Sequence, residues 1–164
     1  MFYHGNHSFY MKRVYPKEAA CMACRLCEVA CIVEHSKSKD IYTAYKSESP
    51  RPISKTVVEE QSRVASISTQ CRHCITPACM EACITGAISR TDESAPVLVN
   101  PDKCIGCWMC IMTCPFGSIS RDFRKTQPDE SDRRIMSKCD LCPDRETPAC
   151  VEVCPNRALV FEER

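Results

Sequence analysis

The sequence predicts a small α+β fold of two interleaved units, each a pseudo-twofold βαββαβ repeat with a thin core. Three observations predict it. Cysteine makes up 16 of the 164 residues and falls into four groups of four. Large apolar side chains are few, with one Trp, five Tyr and five Phe. Something bound must therefore organise the interior, and metal can do that. Apolar runs of strand length recur beside the cysteine groups, too short for a large sheet.

In chain order, a strand over Tyr10–Tyr15 leads into the first group, Cys21-x2-Cys24-x2-Cys27-x3-Cys31. A polar stretch over Glu34–Asp40, helical or looped, follows it, and Ser47–Ser54 (SESPRPIS) is a loop signal. A strand over Arg63–Ser68 precedes the second group, Cys71-x2-Cys74-x4-Cys79-x3-Cys83, and Gly86–Ser89 is the short apolar run after it. A strand over Val97–Asn100 precedes the third group, Cys104-x2-Cys107-x2-Cys110-x3-Cys114, with Pro115 next and Gly117–Ser120 as its tail. Thr126–Asp132 (TQPDESD) is a loop. A strand over Ile135–Lys138 precedes the fourth group, Cys139-x2-Cys142-x7-Cys150-x3-Cys154, with Pro155 next and Arg157–Val160 as its tail. No cysteine lies outside the pattern, and its flanks repeat: TPACMEAC over 76–83 is echoed by TPACVEVC over 147–154.

Length fits one compact domain or two very small ones. A formal net charge of +1 leaves no electrostatic footprint for nucleic acid. No stretch approaches the ~20 apolar residues of a membrane span. The N-terminal MFYHGNHSFYMKRVYP has no apolar leader core, and Lys12-Arg13 is not a twin-arginine pair. A cytoplasmic, reducing location is the expectation, which argues against eight disulfides. Zinc sites bring two CxxC pairs from separate knuckles, unlike runs of C-x2-C-x2-C. No phosphate loop, GxGxxG, nucleophile elbow or HExxH is present, so the chain is expected not to be an enzyme.

The spacing suits [4Fe–4S] clusters. A cubane offers four iron corners, and C-x2-C-x2-C wraps three of them with one loop. The fourth Cys, expected at the start of a helix, points toward a second cluster, as in two-cluster ferredoxins. Proline after that Cys fixes the turn. Only 20 residues separate Cys83 from Cys104, enough for strand, turn and strand, so groups two and three form one ferredoxin-like unit (46–132). Groups one and four, by elimination, form the other (1–45 plus 133–164), with Tyr10–Tyr15 beside Leu159–Glu162. The expected ligand sets are Cys21, Cys24, Cys27 and Cys154; Cys71, Cys74, Cys79 and Cys114; Cys104, Cys107, Cys110 and Cys83; and Cys139, Cys142, Cys150 and Cys31. Each cluster with its four thiolates carries about −2, so a four-cluster holoprotein stands near −7. All sites are thiolate-filled, which favours electron relay over catalysis.

Other residues receive plainer readings. His35 and His73 are expected in solvent or beside the clusters rather than as ligands. Trp108 is expected to pack over a cluster. Met80, Met109 and Met112 are expected in cluster-side core, and Lys125 with Arg133-Arg134 on a solvated face.

From Cys21 to Leu159 the chain resembles the four-cluster ferredoxin-like subunits of modular oxidoreductases. The segments that carry the resemblance are CRHCITPACMEAC, KCIGCWMCIMTCPFG and KCDLCPDRETPACVEVCP. The resemblance implies the same pairing, one with four and two with three, and four [4Fe–4S] clusters, since no group-three cysteine is replaced. VEHSKSKDIYTAYKSESPRP, with no long insertion or C-terminal membrane helix, is similar to the short soluble branch. That branch implies a catalytic partner containing tungsten, molybdenum or nickel. Such partners are aldehyde or formate oxidoreductases, hydrogenases and carbon monoxide dehydrogenase. It also implies an acceptor such as an FAD-containing NAD(P) reductase subunit and, in some members, self-association into filaments. A free polyferredoxin serving several partners is the alternative, and a structural zinc module the remote one.

Overall fold

The computed structural model describes residues 11–49, 51–61, 64–122 and 135–163. Tyr10, Arg63, Lys125, the Thr126–Asp132 loop and Arg133-Arg134 lie outside the described residues.

Strand β1 (Lys12–Pro16) precedes the first cysteine group, α1 (Leu26–Glu34) runs through its end, and α2 (Ile41–Lys46) follows, capped by the Asp40 carboxylate, which accepts from the Thr43 N–H. Strands β2 (Thr56–Gln61) and β3 (Ala65–Gln70) lead to the second group, whose helix α3 (Ala78–Glu81) is about one turn long. Strands β4 (Ile88–Ser89) and β5 (Leu98–Val99) lie between the second and third groups, and α4 (Met109–Thr113) belongs to the third. Strands β6 (Ser120–Asp122) and β7 (Ile135–Ser137), helix α5 (Ala149–Glu152) and strand β8 (Leu159–Glu163) follow. No helix among the described residues is long and apolar enough to cross a membrane.

All strands described pair as antiparallel two-stranded ribbons: β1 with β8, β2 with β3, β4 with β5 and β6 with β7. The first and last strands meet as expected, with Val14 opposite Phe161 and Pro16 opposite Leu159. A single strand was expected before group two; instead β2 and β3 form a hairpin with Thr56 opposite Gln70. The first strand of that hairpin was hidden because its alternation, TVVEEQ, is short and half polar.

The fourth cysteine of a group does not open a helix, contrary to expectation. C-x3-C sets the third and fourth cysteines about one turn apart on one helical face, so the helix spans them. Both Cys27 and Cys31 lie within α1, while Cys83, Cys114 and Cys154 fall just past α3, α4 and α5. After α4, Pro115 disfavours helical backbone at the residue before it, and Cys114 is extended (φ −72°, ψ 112°).

Two small cores lie beneath these helices. Ala87, Ile88, Val97, Ile119 and Met136 pack with Cys104 and Cys110. Val14, Val58 and Leu159 pack with Cys27 and Cys150. In both, cysteine side chains are part of the core. Helix α1 packs on α5, and α3 on α4. Met80 and Trp108 are partly buried against the first core. Met109 and Met112 are not core: they are 46% and 80% exposed, because a helix as short as α4 turns only one face inward, and Cys110 occupies it.

Candidate metal centres

Each cysteine group begins with the same backbone device. The residue before the second cysteine is left-handed in all four: Ala23 (φ 54°), His73 (φ 44°), Gly106 (φ 68°) and Leu141 (φ 65°). This curls the C-x2-C loop so that successive backbone N–H groups face the enclosed space, a concavity suited to anions. Only Gly106 adopts that conformation without steric cost; the others bear about 1–2 kcal/mol each. In groups one and three, Arg25 and Trp108 are left-handed as well, bringing in the third cysteine. The repeat recurs three residues after the fourth cysteine, at Gly86, Gly117 and Arg157.

The thiols converge across the chain. Cys21, Cys24, Cys27 and Cys154 line one cavity. Cys71, Cys74, Cys79 and Cys114 line another. Cys31, Cys139 and Cys142 surround Cys150 closely enough for their charges to act on it. Cys104 and Cys107 stand in the same relation to Cys110, and Cys83 packs against the core that holds Cys104 and Cys110. Electrostatic influence also runs between these sets. Cys27 reaches Cys150, Cys71 reaches Cys139, and Cys79 reaches Cys110. Only Cys24 and Cys107 are exposed among the sixteen.

Burial makes several of these groups reluctant thiolates. It pushes Cys139 up to about 12, with Cys71, Asp140 and Cys31 adding to the effect. It pushes Cys110 up to about 11, helped by Cys104 and Cys107, and raises Cys150 further still. Like charges crowded in a desolvated space must be neutralised by protons or by metal. The surroundings are also set to accept sulfur charge. Backbone N–H groups point at sulfur from Lys55 to Cys31 (3.2 Å), His73 to Cys71 (3.4 Å), Leu141 to Cys139 (3.4 Å) and Ala158 to Cys154 (3.2 Å). The Ser68 hydroxyl lies 3.4 Å from the Cys27 sulfur.

His35 is not solvated. Its Nε2 faces both Asp140 carboxylate oxygens at 3.2 Å, and its Nδ1 lies 3.7 Å from the Cys31 sulfur. The Lys55 ammonium donates to Asp140 at 2.6 Å, and the Cys142 N–H donates to the same carboxylate at 3.1 Å. Burial would lower His35, but the bonds to Asp140 and Cys31 outweigh it and raise it to about 9. Burial would raise Asp140, but His35 and Lys55 hold it far below the carboxylate range. His73 is buried, and its Nδ1 accepts the Val97 N–H at 3.1 Å. Burial, then the Lys138 and Arg13 charges, lower it to about 3. Donor atoms of His35, Asp140 and Cys142 lie within 4.8 Å of one another, but His35 and Asp140 already satisfy each other.

Residues 62–164 match the family model for the 4Fe-4S dicluster domain. The protein belongs to the 4Fe-4S dicluster domain family. It is 34% identical over 154 residues to an iron-sulfur protein of Rhodospirillum rubrum, covering 89% of this chain and 79% of that one. It is 34% identical over 152 residues to the electron transport protein HydN of Escherichia coli (strain K12), covering 88% and 83%. Identity is also 34% over 159 residues to one subunit of the anaerobic dimethyl sulfoxide reductase of the same organism, covering 86% and 68%. In two longer Escherichia coli proteins the match spans only 20% and 21% of their length. This dicluster-domain protein is thus an iron–sulfur electron-transfer protein that carries [4Fe–4S] clusters.

The residues present fit that cofactor. All sixteen cysteines are free thiols, two sets of four thiols line cavities, and N–H groups aimed at sulfur favour its anionic form. Sequence reasoning missed the polar residues around the thiols of this family member. Asp140 carried a weak signal, being the first residue inside the group-four loop. Lys55 and Ser68 carried none, because they approach from the β2–β3 hairpin, remote in sequence.

Proposed function

We propose that the chain holds four [4Fe–4S] clusters and relays single electrons between a catalytic metalloenzyme subunit and an acceptor. The observation that carries this is the convergence of thiols from separate cysteine groups, with Cys24 and Cys107 the two that are exposed. The ligand sets are Cys21/Cys24/Cys27/Cys154, Cys31/Cys139/Cys142/Cys150, Cys71/Cys74/Cys79/Cys114 and Cys83/Cys104/Cys107/Cys110. The neighbour relations Cys27–Cys150, Cys139–Cys71 and Cys79–Cys110 support the order in which these sets are written. Groups one and four form one ferredoxin-like unit (1–45 plus 133–164), and groups two and three the other (46–132). Val58, in the β2–β3 hairpin of the second unit, packs into the core of the first.

Each bound cluster supplies a one-electron couple. The protein supplies the rest: thiolates that hold it, N–H donors that stabilise sulfur charge, and walls that exclude water from the Cys31/Cys139/Cys142/Cys150 set, whose four thiols are all buried. Cys24 and Cys107 mark where partners approach. The loops over Ile75–Ala78 and Pro143–Ala149, exposed at Ile75, Thr76 and residues 143–147, are docking surfaces or shields. The catalytic partner is a tungsten, molybdenum or nickel oxidoreductase, and the acceptor an FAD-containing NAD(P) reductase subunit. The complex works in the cytoplasm, with end-to-end self-association extending the relay.

The test is metal and flavin analysis after anaerobic purification from the native host. About 16 iron per chain, with co-purified tungsten, molybdenum or nickel, supports the relay and names the partner. The same iron alone points to a diffusible polyferredoxin, and about four zinc with little iron overturns the reading.

A further inference from the structure

Lys138 is 4% exposed. Its ammonium donates to the Cys139 carbonyl at 3.0 Å and to the Val97 carbonyl. Among the described residues no carboxylate pairs with it. A buried cation held only by carbonyl dipoles is unfavourable unless opposite charge lies close by. Its position shows where that charge would be. The Val97 N–H donates to His73 Nδ1 at 3.1 Å, and the His73 N–H points at the Cys71 sulfur at 3.4 Å. The ammonium therefore sits between the Cys71 set and the Cys139 set, where the two groups of thiols approach each other. Its charge reaches Cys79 and His73. His73, 1% exposed with Nε2 unpartnered, brings no negative charge of its own.

We propose that Lys138 is a fixed internal cation that holds the two inner clusters, those of the Cys71 and Cys139 sets, at higher potential than they would otherwise have. Reduction of either cluster adds a negative charge beside this ammonium in a desolvated space, where attraction is strong. The electron is thereby favoured at the crossing between the two halves of the relay. The outer clusters, of the Cys21 and Cys104 sets, lie beyond it and are tuned independently. This inference rests on the four-cluster reading.

The test compares anaerobically purified holoprotein with Lys138→Met, which keeps bulk, Lys138→Gln, which keeps a donor, and Lys138→Arg, which keeps charge. Iron is counted, and the midpoint potentials are read by EPR during redox titration. The expected result is full iron, a fall in two of the four potentials in the Met and Gln variants, and wild-type potentials in the Arg variant. Full iron with no shift, or with all four potentials shifted alike, overturns the proposal. Should both neutral variants lose iron, the Arg variant decides. Full loading and unchanged potentials there support the charge, whereas the same loss makes shape the requirement and overturns it. Low iron in the unaltered protein would instead count against the four-cluster reading itself.

Discussion

Replacing Asp140 by Asn removes the single negative charge that two cations share. Asp140 accepts from Lys55 at 2.6 Å and from His35 at 3.2 Å, and the side chains are only 26%, 16% and 16% exposed respectively. Each charge-assisted bond contributes about 1.5–3 kcal/mol, and removing one partner of a well-buried pair costs about 3–5 kcal/mol. The partial exposure of Asp140 moderates this, and the Asn carbonyl can still accept the Cys142 N–H. A cost of about 3 kcal/mol remains, equivalent to roughly 150-fold in an equilibrium or rate. The network ties α1 of group one to the loop of group four, so its loss should loosen the Cys31 and Cys139 thiols together. The assay is the rate at which cluster absorbance bleaches anaerobically in moderate guanidinium with an iron chelator present. Asp140→Asn should bleach roughly 150-fold faster. A double-mutant cycle with Lys55→Met should show coupling above about 1 kcal/mol. A change below threefold, or strictly additive effects, would refute the view that this network holds the two groups together.

Ser68→Ala removes a buried hydroxyl that lies 3.0 Å from Thr56 Oγ1 and 3.4 Å from the Cys27 sulfur. It should cost about 1 kcal/mol, seen as roughly fivefold faster bleaching. Gly86→Ala meets no atom within 4 Å of the added Cβ but keeps φ at +63°. The penalty should be the backbone strain alone, about 1–2 kcal/mol in anaerobic thermal unfolding, and a larger loss would reveal a clash. Met112→Ser, at an exposed position, should change stability by less than about 0.5 kcal/mol, whereas a core methionine would cost several times that. Stripping the iron should abolish cooperative unfolding and most of the circular dichroism signal, because both cores include thiols that metal must hold. An apoprotein with native spectra would refute this.

Local spacing determined much of this protein without help from the fold. In every group an opening interval of three residues specifies a loop and a closing interval of four a helical turn, and proline after Cys114 marks where that turn stops. The cluster type and the electron-transfer role follow from that chemistry. The pairing of β1 with β8 was also legible, since groups one and four had no other partners. The β2 strand was not, being too short and too polar to show its period. Nor were the exposed faces of Met109 and Met112, which depend on what lies across from α4. The left-handed conformations of Ala23 and Leu141 were likewise hidden, because neither residue type announces one. Above all, only the tertiary structure brings Lys55 from the hairpin to Asp140, and Lys138 to Val97 and thence to His73. Metal ligands recur at fixed local intervals because a cluster has fixed dimensions. The charges around it come from wherever the folded chain returns, and no spacing records that return.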